Sequence, residues 1–313
     1  MINIKNRGEH RVQVFRDGEC IKDTGIFKNL LLDGFFSRLT NKSAEGFNQN
    51  LGAQVCGVGS GTTPAATTDT TLQSPLGYKI GSTLTVAFVE TTATAHVFSA
   101  TRVFSFSSGA IVGNVSELGT IIDRNNPITS NPLDTRAILP STVTVTAADQ
   151  LVVTHIRYVE IPFDDVTGSL TLDGINYNYI IRPANVTNAT VIGLILNPRL
   201  WGVGTMEALY FGKNGGSAGS LPVTSGASWS GPEGSTFDST PTLATYTSAT
   251  LLEGDFDITH QPSAANVSGG IKLLNMMGLN ASIVLFAVQF TPNIPKTSSQ
   301  RLRLDFKFTY SRG

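Results

Sequence analysis

The chain has 313 residues, enough for one large domain or two of ordinary size. Charged residues make up only 14%, against roughly 25% in ordinary soluble proteins, and Ser and Thr take their place. A net charge of −1 supplies no basic field, which argues against nucleic acid or an anionic membrane as partner.

The N-terminal segment Met1-Ile2-Asn3-Ile4-Lys5 has no apolar signal core, so the chain reads as unsecreted. Arg11 to Arg16 alternates in polarity, Asp17-Gly18 turns, and Cys20-Ile21 returns as a hairpin. Ile26 to Leu39 is the clearest helix expectation: apolar residues at 27, 31, 35 and 39 share one face, flanked by 32 and 36. Gly34 weakens that helix by roughly 1 kcal/mol relative to Ala. Beyond residue 45 strand signals dominate, at Leu84–Phe88, His96–Phe106, Val143–Val145, Leu151–Ile161, Ser169–Leu172, Tyr177–Ile181 and Val191–Leu196. Further strands are expected at Thr245–Leu252, Ser282–Phe290 and Leu302–Tyr310. Their spacing between Gly, Pro, Asn and Asp breaks predicts a mainly β fold of one or two β-sandwich or jelly-roll-like domains, with one short N-terminal helix. The strand–turn–strand pattern about Asp173-Gly174 marks a second unit, giving domains at 1–162 and 163–313. Residues 202–242, rich in Gly, Ser, Thr and Pro, read as long loops or an extended arm. The segment Phe104-Ser105-Phe106 to Leu118 has a weak echo in Phe256-Asp257-Ile258 to Gly270. The echo is either a tandem of related β-domains or a chance likeness of Ser/Thr-rich strands.

Cys20 and Cys56 form neither a disulfide framework nor a zinc spacing, and read as free thiols in a reducing cytoplasm. The longest apolar run, Ile283 to Val288, is too short to span a membrane, so no membrane insertion is expected.

The most distinctive stretch runs from Cys56 to Leu72, Gly-rich at first and closing on Asp69-Thr70-Thr71-Leu72. It is not a phosphate loop: Gly61 is followed by Thr62 and Thr63, and no Lys occurs before Lys79. Pro64 and the Thr run disfavour the helix that a dinucleotide fingerprint requires. The stretch reads as a surface loop in which Gly57, Gly59 and Gly61 provide positive φ and Asp69 caps a short turn.

Other chemistry is sparse. His10, His96, His155 and His260 are isolated in sequence and form no metal-binding motif; His155 reads as a strand-face residue. Asp164-Asp165 and Asp255/Asp257 are the closest acidic pairs, without a calcium-loop frame. Ser60 lacks a nucleophile elbow. Trp201 reads as buried, whereas Trp229 sits in a loop context that suits a sugar contact, a subunit anchor or a local mini-core.

Two blocks carry a family resemblance. Gly57-Val58-Gly59-Ser60-Gly61-Thr62-Thr63-Pro64 with Asp69-Thr70-Thr71-Leu72 is the first. The second combines Arg102 to Phe106, Gly113 to Gly119, Arg136-Ala137-Ile138-Leu139 and Asp149 to Thr154. Together they resemble tail-associated structural proteins of tailed bacteriophages, called tail fibre or tail proteins. The close from Leu302 to Arg312 is similar to the last strand of such proteins, with Tyr310 where Trp would be expected. The resemblance implies a non-enzymatic virion component, assembled in the host cytoplasm and acting in a symmetric assembly. Its partners would be copies of itself, other tail or baseplate proteins, and a host surface glycan if the chain forms a fibre tip. No catalytic, cofactor or metal residue is expected. The candidate contact residues are Gly57, Gly59, Gly61, Thr62, Asp69 and Trp229. The alternatives are a receptor- or carbohydrate-binding tip, a capsid decoration protein, and a polysaccharide depolymerase.

Overall fold

A computed structural model describes residues 2–40, 54–121, 132–183, 210–211, 245–248, 251–260, 268–278 and 283–313. The fold is mainly β. It begins with strand β1 (Ile2–Arg16) and strand β2 (Glu19–Leu31), paired antiparallel from Gly8↔Asn29 to Arg16↔Glu19. The turn between them holds Asp17 at φ 52° and Gly18 at φ 85°. Two successive positive φ values give a tight turn the twist that strands need.

The expected helix at 26–39 is shorter and later than the sequence suggests: residues up to Leu31 belong to β2, and helix α1 spans Asp33–Thr40. The apolar positions that suggested one helical face are divided between two elements. Leu31 closes the strand, while Phe35 and Phe36 are buried on the helix. The ladder to β1 already satisfies the backbone before Leu31, so a helix there would give up paired groups.

Seven more strands complete a sandwich: β3 (Val55–Gly59), β4 (Pro75–Ile80), β5 (Thr85–Thr91), β6 (Ala95–Phe106), β7 (Gly113–Ile121), β8 (Thr135–Val145) and β9 (Gln150–Pro162). One layer has the order β5-β6-β9-β1-β2, and the other β8-β7-β3-β4. β2 joins them, leaving β1 to pair Leu30 and Leu31 with Arg136 and Thr135 of β8. Inward residues from both layers meet in one core. Val12, Val14, Phe104, Phe106, Leu151 and Val153 come from the first, and Cys56, Val58, Val115, Leu118, Leu139, Val143 and Val145 from the second. β9 shows the cause in its strict alternation of buried and half-buried positions. Each large side chain withdrawn from water there contributes about 1.5–3 kcal/mol.

The C-terminal part of the chain contributes to two sheets. Strands β10 (Val166–Leu172) and β11 (Ile175–Pro183) form the hairpin expected about Asp173-Gly174. With β12 (Tyr210–Phe211), β15 (Ile271–Gly278) and β16 (Ile283–Ile294) they make a five-stranded sheet of order β10-β11-β16-β15-β12. Strands β13 (Thr245–Ser248), β14 (Leu251–His260) and β17 (Leu302–Arg312) instead extend the sheet of the N-terminal half. β17 lies parallel to the start of β1, from Ile2↔Phe308 to Asn6↔Arg312. The expected strand at 191–196, part of the weak echo, and the 202–242 arm apart from β12 lie outside the described residues.

Candidate functional site: a buried clasp beside an open sheet edge

The Gly-rich stretch does not start as a loop. Residues 55–59 are strand β3, buried at every position and held between β4 and β7. Gly57 pairs with Tyr78 on one side and Gly119 on the other. None of Gly57, Gly59 and Gly61 is among the glycines at positive φ. The sequence expectation is corrected here: what Gly59 and Gly61 require is space. A Cβ on Gly59 would lie 2.5 Å from Glu117 Oε1 and 2.6 Å from the Ser74 carbonyl oxygen. On Gly61 it would lie 2.5 Å from Glu117 Oε1 and from Gln73 Cβ. The glycines make room for a buried carboxylate.

Glu117 of β7 is fully buried, and Arg136 of β8 is 3% exposed along its side chain. Glu117 Oε1 accepts hydrogen bonds from the backbone N–H groups of Gly61 (3.1 Å) and Ser74 (2.7 Å). Its Oε2 accepts from Gln73 N–H (3.0 Å) and from Arg136 Nε (3.1 Å) and Nη2 (2.9 Å). Arg136 Nη1 donates to Asp69 Oδ2 at 2.8 Å and to the Pro64 carbonyl at 3.5 Å, and Nη2 donates to the Thr63 carbonyl at 3.1 Å. Each N–H of the guanidinium therefore has an acceptor. Asp69 closes the turn expected of it: its carboxylate accepts from Ala66 N–H (2.8 Å) and its own N–H donates to Ala66 O (3.0 Å). Gln73 Oε1 accepts from the N–H groups of Thr62 and Thr63. Leu72 anchors the end of the loop in an apolar cluster with Leu32, Val55, Ile121 and Leu133.

Burial opposes ionisation of Glu117, but the Ser74 and Gln73 N–H groups and the Arg136 guanidinium overcome it and hold the carboxyl below its usual range. Burial likewise opposes the charge on Arg136, and Asp69 and Glu117 more than restore it. Both oxygens of Glu117 are occupied by donors within the chain. The arrangement is a clasp that fixes the 60–74 loop on the sandwich, and it leaves Glu117 no oxygen for proton transfer to a substrate.

Beside the clasp lies β4, the terminal strand of its layer, which pairs with β3 alone among the described strands. Leu76, Tyr78 and Ile80 alternate along it, 39%, 53% and 46% exposed, and Val112 nearby is 56% exposed. Large apolar residues of this exposure, gathered at one strand, differ from isolated apolar residues scattered over a surface.

A second polar cluster is internal. β1 and β9 pair His10 with His155, their rings 4.7 Å apart and both buried. Asn29 Nδ2 lies 3.1 Å from His10 Nε2 and 3.5 Å from His155 Nδ1. Arg157 donates to Asn6 Oδ1 at 2.6 Å, and Arg102 donates to Gln54 Oε1 at 2.5 Å. Burial lowers the pKa of His10 to about 3; burial, then repulsion by a protonated His10 and by Arg157 and Arg102, lowers that of His155 well below its usual value. Both imidazoles are neutral at pH 7. Among the described residues no three His, Cys, Asp or Glu side chains gather as a metal site.

The candidate contact residues thus have different positions. Gly57, Gly59 and Gly61 are buried and offer no surface to a partner, Thr62 is exposed, and Asp69 faces Arg136. Trp229 lies outside the described residues, as does Trp201. Cys20 is an exposed free thiol and Cys56 a buried one. Asp165 is ion-paired with Arg182 at 2.6 Å, and the Ser60 hydroxyl donates to Ser74. Sequence reasoning did not single out Glu117, Arg136 or the His10–His155 contact. The available signal was a charged residue at an inward position of an apolar strand. No helix among the described residues is long and apolar enough to cross a membrane. Compared with known protein families, curated proteins and solved structures, the chain matches none of them.

Proposed function

We propose that this chain is a non-enzymatic structural component of a bacteriophage tail, acting through contacts between copies of itself and with neighbouring tail proteins. The observation that supports this reading is the clasp. The blocks that resemble tail proteins meet in it, as loop 57–72, Glu117 of β7 and Arg136 of β8. Its charged groups are consumed in fastening a loop to a rigid sandwich, which suits a building block. The low charge of the chain and the exposed apolar row on β4 suit subunit packing, because such surfaces cost little to desolvate. A symmetric assembly repeats each contact many times, so each can be weak.

Mass spectrometry and antibody-gold electron microscopy of purified particles test the reading. The chain is expected in the particle at a repeated stoichiometry, with label on the tail. Its absence from intact particles would overturn the assignment, and label on the head would favour a decoration protein.

A further inference from the structure

β4 is an edge prepared for pairing. The clasp holds its entry, where the N–H groups of Gln73 and Ser74 donate to Glu117. Its exit is held by Gly81 N–H on the Gln54 carbonyl (2.9 Å) and Ser82 N–H on the Val103 carbonyl (2.8 Å). The strand between these anchors is fixed before any partner arrives, so little ordering entropy remains to oppose pairing. The contrast with β2 is informative. Among the described strands β2 meets β8 only at Leu30 and Leu31, and the rest of it carries Glu19, Lys22, Asp23 and Lys28 between the exposed Ile21 and Ile26. Charges of this kind keep an edge unpaired. On β4 the only charge is Lys79.

We propose that β4 is the seam at which a second copy of this chain adds, antiparallel about a twofold axis through Tyr78, so that two sandwiches share a continuous sheet layer. The sequence of the strand is complementary to itself in this register. Leu76 falls opposite Ile80 of the second copy, Tyr78 opposite Tyr78, and Lys79 opposite Gly77. Apolar residues meet apolar residues, and the two lysines never oppose each other. Just beyond the strand Ser74 N–H already serves Glu117 and Ser82 N–H serves Val103, so the seam ends where its free donors end. A twofold contact of this kind uses the same patch on both copies and closes after two chains. The proposal deepens the functional reading above and rests only on its claim that copies touch one another.

The test uses the full chain with Cys20→Ser, which removes the exposed thiol. In this background Tyr78→Cys places one thiol on each side of the axis, at the spacing of directly opposed strand residues. Mild oxidation is expected to give a covalent dimer from Tyr78→Cys alone. Leu76→Cys alone is expected to dimerise without a covalent cross-link, but to cross-link when mixed with Ile80→Cys. Sedimentation is expected to show a dimer that Ile80→Lys shifts to monomer by at least tenfold in dissociation constant, with an unchanged circular dichroism spectrum. A monomer at all concentrations overturns the seam. So does a dimer that ignores Ile80→Lys, or one in which Leu76→Cys alone cross-links. Absence from phage particles with the dimer intact would instead remove the tail assignment and leave the seam standing.

Discussion

Removing Arg136 tests the clasp directly. Arg136→Leu keeps apolar bulk on β8 but leaves Glu117, which is fully buried, without its guanidinium. Breaking a buried ion pair from one side costs about 3–5 kcal/mol, because the remaining charge stays desolvated. Here Glu117 retains three backbone donors, Gly61, Gln73 and Ser74, which places the loss near the lower end, about 3 kcal/mol at pH 7. The carbonyls of Thr63 and Pro64 and the carboxylate of Asp69 lose their donor as well, so the loop between 60 and 74 should loosen first. Urea unfolding followed by circular dichroism gives the loss, and limited proteolysis reports on the loop. The sign with pH is specific. In the wild type the Glu117 carboxyl lies below its usual 4.5, so its contribution is present above that value and is lost as pH falls through the folded value. In the variant a proton on Glu117 relieves the isolated charge, so the difference from wild type should shrink between pH 7 and pH 4.5. The Glu117→Gln background should also absorb part of the Arg136→Leu cost, by coupling of about 1–3 kcal/mol. A loss under 1 kcal/mol, or one that does not depend on pH, would refute the account of the clasp.

Three further outcomes are expected. Gly59→Ala should destabilise by about 1–3 kcal/mol in thermal or urea melts, since its methyl would meet the Glu117 carboxylate and the Ser74 carbonyl within 2.6 Å. The buried histidines should make the protein acid-sensitive. Their folded pKa values are depressed, so the unfolded chain takes up protons first as pH falls below 6.5, and stability drops by about 1.4 kcal/mol per pH unit for each histidine until its folded value is reached. His155→Gln should roughly halve that slope between pH 6 and pH 5 in urea midpoints, and an unchanged slope would assign the sensitivity elsewhere. Under native conditions a thiol reagent should modify Cys20 within minutes. Cys56, whose pKa burial raises, should react only as the chain unfolds.

Where one sheet face is buried and the other is not, the elements were legible. The alternation of β9 and of the second half of β6 announces strands, and the Asp173-Gly174 dipeptide announces the β10–β11 turn. Strand β3 was hidden for the opposite reason. Val-Cys-Gly-Val-Gly is buried on both faces, has no alternation, and contains glycines that usually signal turns. The 26–39 segment misled because helical spacing at 27, 31, 35 and 39 survives when a strand hands over to a helix at residue 32. The clasp needed the fold to be seen. Glu117 and Arg136 look like solvated charges in sequence, and only the pairing of β3, β7 and β8 places the 60–74 loop over them. The histidine pair depends likewise on a β1–β9 register that no local pattern encodes.

The central position of β1 sets a timetable for synthesis. Its partners β2, β9 and β17 come from the beginning, the middle and the far end of the sequence. A nascent chain can form the β1–β2 hairpin at once, and can lay β9 alongside as soon as residue 162 has left the ribosome. The stretch Ile2–Asn6 must wait for β17. Contacts of such separation form slowly. During that interval an emerging molecule exposes an uncovered strand border that a neighbouring nascent chain can occupy, so translation rate and chaperone holding should govern its yield more than the stability of the finished fold.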